Sequence, residues 1–249
     1  MTGPLVDGVL FDVDDTLVDT QQAFAAALAD VARRYLPHLG EDRHGEVLAT
    51  WRADVGGHYR AYTRGEVGYL DQRMARANAL HAEFGGAELD EEGYREWNQV
   101  FEASFAQAWA AHRDAARVVE HLLGAGVAVG ALTNAAVAYQ TTKLARAGLS
   151  HVPVLVGVDT LGVGKPDPGC FLEACRRLGT DPARTAYVGD ELDIDALGAV
   201  RAGLVGVWVD RPDGRRHAIT DTEISAARAA GVHVVTSLAG VPEALGLGV

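Results

Sequence analysis

Hydrophobic and polar residues follow two patterns along this chain, one between residues 19 and 112 and another on either side of that block. Within the block, alanine, leucine, arginine and glutamate recur with helical spacing, and no strand-like alternation occurs. Prolines and glycines interrupt the pattern, and helices are expected to end at them. The block is therefore predicted to form helical runs at residues 21–35, 41–62, 69–84 and 91–111.

On either side of the block, short apolar runs alternate with amphipathic segments. The apolar runs are rich in β-branched residues and predict strands at residues 5–11, 127–132, 154–158, 185–188, 205–209 and 233–235. The intervening segments predict helices at residues 115–123, 139–147, 168–178 and 195–202. Such alternation is typical of an α/β fold. We predict a doubly wound, Rossmann-like parallel sheet core formed by residues 1–18 and 113–249, with an inserted all-helical cap at residues 19–112.

The composition narrows the class of protein and of partner. With 249 residues, 48% of them hydrophobic, the chain can bury a full core. Its net charge of −12 argues against nucleic acid, which requires a basic face. No apolar run is long enough to span a membrane, and no basic leader precedes the first apolar run. We therefore expect a cytoplasmic protein without a membrane partner.

The candidate functional residues follow the predicted strands, at the edge of the sheet where doubly wound folds bind ligands. Asp12, Asp14 and Asp15 come directly after the first strand and are followed by Thr16. Three aspartates this close together repel one another unless a cation or a shared proton relieves them, and their hard oxygens suit Mg²⁺. An acidic turn is the alternative interpretation.

A second acidic cluster follows the fourth predicted strand. Gly189 is expected to allow an unusual backbone angle there. Asp190, Glu191, Asp193 and Asp195 come next in the sequence. Carboxylates are favoured at helix starts, but a single acidic cap explains one of these residues and not the others.

Two more clusters follow the second and third predicted strands. Thr133 and Asn134 could hold phosphate oxygens or cap the next helix. Lys165 lies between Gly164 and a proline, which restricts where its ammonium group points. It is one of only two lysines among 22 basic residues. The other, Lys143, lies in a helical run, and we expect it at the surface.

These four clusters, in this order and at these strand ends, resemble the four signature motifs of the haloacid dehalogenase-like superfamily. The resemblance covers the whole chain, because the helical block after the first motif is similar to the cap of the small-cap (type I) subgroup. One departure is Asp15, which stands where the family's first motif usually has glycine. Aspartate tolerates left-handed backbone better than most residues, so we expect the turn to be kept.

The resemblance implies a catalytic role for each motif. Asp12 is implied as the nucleophile that attacks phosphorus. Asp14 is implied as the acid that protonates the leaving group and then as the base that activates water. Thr133 and Asn134 are implied to bind the phosphoryl group, while Lys165 neutralises charge on that group and on the nucleophile.

The resemblance also implies a cofactor, Mg²⁺. Its implied ligands are the carboxylates of Asp12 and Asp190 and the backbone carbonyl of Asp14. Thr16 is expected to support this site.

The second acid of the fourth motif is open between two residues. Asp195 is the expected one, orienting Lys165 or a metal-bound water. Asp193 is the competing candidate, because the family tolerates either spacing.

The implied activity is Mg²⁺-dependent hydrolysis of a small phosphorylated metabolite through an aspartyl-phosphate. Dehalogenation in the same family would leave Asp14, Asp190 and Asp195 unexplained. A phosphosugar mutase shares the phosphatase motifs, and a non-catalytic protein that binds phosphorylated ligands is a further alternative. Phosphonate cleavage is excluded, because it requires a cap lysine and residues 19–112 contain none.

Overall fold

The computed structural model describes residues 6–211, 214–215 and 218–248. The chain divides into two compact units. Unit 1 comprises the described residues of Met1–Asp19 and Ala110–Val249, and unit 2 is Thr20–Trp109. That these units act as a catalytic core and a cap stays a prediction.

Unit 2 is helical, and unit 1 has helices of its own that flank its sheet. In unit 2 they are α1 (Thr20–Tyr35), α2 (His44–Ala53), α3 (His58–Thr63), α4 (Tyr69–Phe84) and α5 (Glu91–Gln107). In the described part of unit 1 they are α6 (Ala115–Gly124), α7 (Val137–Arg146), α8 (Val158–Leu161), α9 (Pro168–Leu178), α10 (Leu197–Arg201), α11 (Asp221–Ala229) and α12 (Val241–Ala244). No helix among the described residues is both long enough and apolar enough to cross a membrane.

Unit 1 is built on a parallel sheet. Its described strands are β1 (Gly8–Phe11), β2 (Ala128–Leu132), β3 (Val154–Val156), β4 (Thr185–Gly189), β5 (Val205–Val209) and β6 (His233–Val235). They lie in the order β3-β2-β1-β4-β5-β6, and every neighbouring pair is parallel. The predicted α/β fold is confirmed. Leu5, which was predicted to start the first strand, lies outside the described residues.

The sheet has an apolar core on each face. Successive residues of a strand point to opposite faces, and in β1 Val9 and Phe11 enter one core while Leu10 enters the other. The first core is completed by α6 and α12, for example by Val119, and the second by α9, for example by Phe171. Burial on both faces explains why β1 is apolar throughout.

Unit 2 is held together by aromatic rings. Trp97, Phe101 and Phe105 recur every four residues on α5, and their ring centroids follow one another at 5.5 and 5.4 Å. The ring centroid of Trp51 on α2 lies 5.7 Å from that of Phe101. Arg73 of α4 places its guanidinium 4.3 Å from the Phe101 ring, which adds a cation–π contact to the cluster.

Several predicted element boundaries are wrong. The predicted helical run 41–62 is divided, because Asp54 and Gly57 take left-handed backbone with φ of 42° and 66°. The predicted helix 91–111 ends at Gln107, and the predicted strand 154–158 ends at Val156, since Val158 already begins α8. The predicted helix 195–202 begins within a π-helical turn, Leu192–Ala196, and its α-helical part is Leu197–Arg201.

Candidate active site

The four motifs meet because β1 lies between β2 and β4 in the sheet. The carboxyl ends of parallel strands fall at one edge, so the residues that follow these three strands are neighbours. Lys165, from the loop before α9, joins them. The candidate site lies entirely within unit 1.

Lys165 is the hub of a buried cluster of polar side chains. Its Nζ donates to Asp12 Oδ1 at 2.7 Å, to Asp195 Oδ1 at 2.8 Å and to the Tyr187 hydroxyl at 2.7 Å. These bonds use all three ammonium protons. Burial alone would lower the pKa of Lys165, but the carboxylates of Asp12 and Asp195 outweigh it and hold that pKa well above its usual value. Lys165 is therefore a fixed cation against Asp12.

The backbone of Lys165 is held as firmly as its side chain. Asn134 Oδ1 accepts from Lys165 N at 2.6 Å, and Asn134 Nδ2 donates to Lys165 O at 3.0 Å. Gly164 is required here, because a Cβ at this position would lie 2.5 Å from Asn134 Oδ1. Both ends of the Asn134 amide are engaged with this backbone, and phosphoryl binding by Asn134 stays a prediction.

Asp195 is the acid of the fourth motif that reaches the cluster. Its Oδ1 accepts from Lys165, and its Oδ2 accepts from Glu191 N at 3.0 Å. Asp193 is exposed. The described glycines with positive φ do not include Gly189, so the unusual backbone angle expected there is wrong. Gly189 is needed for space instead, because a Cβ there would overlap the carboxylate of Asp195.

Asp12 and Asp190 lie in a concentration of negative charge. One carboxylate oxygen from each of Asp12, Asp190 and Asp195 lies within 4.8 Å of the other two. Burial raises the pKa of Asp12 to about 7; Lys165 opposes this shift, while Asp195 and Asp14 add to it. Burial also raises the pKa of Asp190, helped by repulsion from nearby carboxylates, with that of Asp15 the strongest.

This charge fits a hard divalent cation. The donor set consists of carboxylate oxygens, which suit Mg²⁺. Both oxygens of Asp195 are already hydrogen-bonded, which favours Asp12 and Asp190 as ligands. Thr16 Oγ1 donates to Asp190 Oδ1 at 3.2 Å, and Trp208 Nε1 donates to Asp190 O at 2.8 Å. The first bond orients the Asp190 carboxylate, and the second fixes the Asp190 backbone.

Asp14 is held by two side chains of α7. Lys143 Nζ donates to Asp14 Oδ1 at 2.5 Å, and Gln140 Nε2 donates to Asp14 Oδ2 at 2.5 Å. The surface position expected for Lys143 is therefore wrong, since only 2% of this residue is exposed. The reason is its place on α7, where Lys143 shares the buried face with Gln140 and Leu144.

Thr133 lies beside this pair. Its Oγ1 accepts from Ala135 N at 3.2 Å and from Gln140 Nε2 at 3.1 Å. It does not cap α7, because Val137 N at the helix start donates to Asp159 Oδ1 at 3.0 Å. A hydroxyl has two lone pairs and one proton, so the O–H of Thr133 can still donate to a ligand.

The turn after Asp12 is kept despite the missing glycine. Asp15 takes the left-handed backbone with φ of 56°. Arg211 Nη1 donates to the Asp15 carbonyl at 2.7 Å, which ties β5 to this turn. The turn therefore holds its shape through a contact that sequence spacing alone does not indicate.

A sequence model of the haloacid dehalogenase-like hydrolase family matches residues 6–203. The chain belongs to the haloacid dehalogenase-like hydrolases. The fold and the order of the four motifs described above agree with this membership.

Curated relatives of this hydrolase include phosphatases. A glyceraldehyde 3-phosphate phosphatase from Methanopyrus kandleri is 45% identical over 87 residues, which cover 34% of this chain and 37% of that protein. The match thus spans little more than a third of that relative. An N-acetylmuramic acid 6-phosphate phosphatase from Pseudomonas aeruginosa is 30% identical over 195 residues, which cover 76% of this chain and 75% of that protein.

Solved structures share the hydrolase fold. The HAD-hydrolase YfnB from Bacillus subtilis, solved bound to magnesium, has a TM-score of 0.74 and 23% sequence identity. The match covers 97% of this chain and 99% of that one. At this identity the likeness shows the fold and not the substrate.

Sequence reasoning missed three polar residues that this hydrolase places at the site. Tyr187 lies in β4, where a buried strand gave no reason to expect a polar contact. Gln140 and Lys143 lie on α7, where Lys143 was expected at the surface and Gln140 drew no prediction. A usable signal existed for both, because they lie three residues apart and share a helix face with Leu144.

Proposed function

We propose that this hydrolase cleaves a small phosphomonoester with the help of Mg²⁺, through an aspartyl-phosphate on Asp12. The observation that carries the proposal is the bond between Lys165 Nζ and Asp12 Oδ1 at 2.7 Å, within a cluster of carboxylates that would hold a divalent cation. The relatives support the reaction class, because they include phosphatases of small phosphorylated compounds.

In the first step, Asp12 attacks phosphorus. An oxygen of its carboxylate forms the new P–O bond while the bond to the leaving oxygen breaks, giving an aspartyl-phosphate. Attack by one anion on another is opposed by charge repulsion. Lys165 offsets this repulsion from a fixed position, and the O–H of Thr133 donates to a phosphoryl oxygen.

Asp14 moves the protons. When protonated, it gives its proton to the departing oxygen, so that the product leaves as an alcohol. In the second step its carboxylate takes a proton from water, which attacks phosphorus and releases inorganic phosphate and Asp12. Substrate and water together supply every atom of the products, and Asp14 is regenerated.

Asp12 and Asp190 would hold Mg²⁺, together with the backbone carbonyl of Asp14. When bound, Mg²⁺ supplies positive charge to the phosphoryl oxygens and lowers the repulsion that the nucleophile meets. Thr16 bonds to the Asp190 carboxylate and Trp208 to the Asp190 backbone carbonyl, and together they hold this residue in place. The crowded carboxylates of the site account for its need of a cation.

The test measures phosphate release from p-nitrophenyl phosphate, with and without Mg²⁺, for the wild type and for Asp12→Asn. Asp193→Asn is the matched control, because it removes an exposed carboxylate from the fourth motif. We expect Mg²⁺-dependent release in the wild type and the control, and none in Asp12→Asn. Acid quench during turnover, followed by intact mass measurement, should show one added phosphoryl group in the wild type.

A panel of phosphomonoesters, including glyceraldehyde 3-phosphate and N-acetylmuramic acid 6-phosphate, then ranks substrates by kcat/KM. Halide release from 2-haloacids in place of phosphate release would overturn the proposal in favour of dehalogenation. Undiminished phosphate release by Asp12→Asn would overturn the aspartyl-phosphate.

A further inference from the structure

Both oxygens of the Asp14 carboxylate accept hydrogen bonds from side chains of one helix, α7. Lys143 bonds to Oδ1 and Gln140 to Oδ2, each at 2.5 Å. The two partners lie on successive turns of α7, so the helix presents them as a pair. Both oxygens of this carboxylate are therefore positioned by side chains of α7.

The burial of this pair is unusual for a surface helix. Gln140 is fully buried and Lys143 is 2% exposed, whereas Arg146 on the same helix is exposed. Moving an ammonium group and an amide out of water costs free energy unless their partners are well placed. Leucine or methionine at these positions would pack against the sheet without that cost. Stability alone therefore does not explain the pair.

Gln140 also connects two parts of the site. Its Nε2 donates to Asp14 and to Thr133 Oγ1, at 2.5 and 3.1 Å. Its Oε1 is buried and has no hydrogen-bond partner among the described residues. The amide thus fixes the distance between the proposed proton carrier and the hydroxyl that faces the phosphoryl group.

We propose that Lys143 and Gln140 are positioning residues that orient Asp14 toward the leaving oxygen of the substrate. This inference rests on the proposed function, in which Asp14 protonates that oxygen. An unrestrained aspartate can rotate about two side-chain bonds, and a small misorientation of a catalytic group costs rate steeply. Held by α7, the carboxylate keeps one orientation relative to Thr133.

A positioning role predicts that the rate depends on the leaving group, which a purely structural role does not. A poor leaving group needs a proton as its bond to phosphorus breaks, while a strongly activated one leaves as an anion. Loss of Asp14 orientation should therefore slow substrates with basic leaving groups and spare activated ones. A general loss of structure would slow both alike.

The experiment compares Lys143→Met and Gln140→Met with the wild type on a series of substituted phenyl phosphates, from 2,4-dinitrophenyl to unsubstituted phenyl phosphate, at saturating Mg²⁺. We expect kcat/KM to fall about 100-fold for phenyl phosphate and less than about 3-fold for the dinitro compound. Arg146→Met, which removes an exposed cation from α7, is the matched control and should follow the wild type across the series. Thermal unfolding checks that each variant is folded.

A double-mutant cycle with Asp14→Asn completes the test. Adding Lys143→Met to Asp14→Asn should not change the leaving-group dependence further, because the group that the lysine positions is already gone. If Lys143→Met does not fold, Gln140→Met and its double variant carry the same comparison.

An equal loss of kcat/KM across the series, or independent effects in the cycle, would overturn the positioning role while Asp12 stayed essential. Failure of the proposed function looks different: the wild type would hydrolyse none of the series, or Asp12→Asn would hydrolyse it normally.

Discussion

The two lysines of this chain hold the two principal aspartates of the candidate site in different ways. Lys165 lies in a loop, 4% exposed, and bonds to Asp12, Asp195 and Tyr187. Lys143 lies on α7, 2% exposed, and bonds to Asp14. Their depth is similar, but the carboxylates they meet are not equally enclosed. The side chain of Asp12 is 10% exposed and that of Asp14 is 26% exposed.

The difference matches the proposed chemistry. A nucleophile must stay ionised and fixed; burial raises the pKa of Asp12, so the permanent cation of Lys165 is needed to favour its ionised form. A group that gives and takes protons must be reachable by the leaving oxygen and by water, so Asp14 needs orientation without full enclosure. The same pair of residue types, lysine and aspartate, thus serves two purposes, and the two pairs differ in how far the aspartate is enclosed.

The largest expected effect is a loss of protein stability, and it should differ between substitutions of the two lysines. Lys165→Met leaves Asp12 and Asp195 without their cation in a buried setting, and we expect a loss of about 3–5 kcal/mol in the free energy of unfolding. Lys143→Met should change it by about 1 kcal/mol or less, because Asp14 can turn toward water and methionine packs well. Urea unfolding of both variants, with Arg146→Met as the control, measures this. Equal losses would show that the two ion pairs are alike.

The sequence could predict the fixed position of Lys165 but not the partner of Lys143, for physical reasons. Lys165 lies between glycine and proline after a strand, where local backbone chemistry already marks a fixed position. Lys143 lies within an amphipathic helix, where lysine is ordinarily solvated. Its helical position, one residue before Leu144 and three after Gln140, placed it toward the sheet. Which buried partner it would meet depends on a contact with a residue far away in the sequence, and spacing does not encode that contact.

The same distinction holds for the fold. The strands were predictable because burial on both faces makes them apolar throughout, as in β1. The π-helical turn at Leu192–Ala196 was not, because an apolar pattern does not separate a π-helical turn from an α-helical one; beside it, the Asp195 carboxylate packs against Gly189. Gly189 was expected for its backbone freedom and is needed for the space it leaves.

The next prediction concerns the excess negative charge around Asp12 and its effect on stability. The pKa of Asp12 is raised to about 7 from an ordinary value of 3.8. The unfolded chain therefore releases this proton at lower pH than the folded chain does. Stability of the metal-free protein should fall as pH rises from about 4 to about 7, by up to roughly 4 kcal/mol in total. Urea unfolding across this range, in a chelating buffer, measures the slope.

Two controls identify the source of that slope. Added Mg²⁺ should restore stability at pH 7, since the cation binds the ionised carboxylates of the folded state. Asp12→Asn should flatten the dependence, because asparagine does not titrate. A slope that persisted in Asp12→Asn would assign the effect to other groups, Asp190 first among them, whose pKa is also raised by burial.

The smallest effect concerns the third partner of Lys165. Tyr187 is fully buried, accepts from Lys165 Nζ and donates to Leu132 O at 2.9 Å. Tyr187→Phe keeps the ring against Phe171, whose centroid lies 5.0 Å away, and removes only the hydroxyl. One ammonium proton and one carbonyl then lose their partner, which should cost about 1–3 kcal/mol. Thermal and urea unfolding measure it, with Tyr94→Phe in unit 2 as the matched control.

Activity in Tyr187→Phe should fall less than about 10-fold, because Asp12 and Asp195 still hold Lys165 in place. The two carboxylates carry charge and the hydroxyl does not, so they dominate the orientation of the ammonium. A loss in kcat as large as that of Lys165→Met would mean that the hydroxyl is what aims the lysine. In that case the fixed cation beside Asp12 would depend on a neutral partner, and the contrast with Lys143 would lie in that hydroxyl and not in the number of carboxylates.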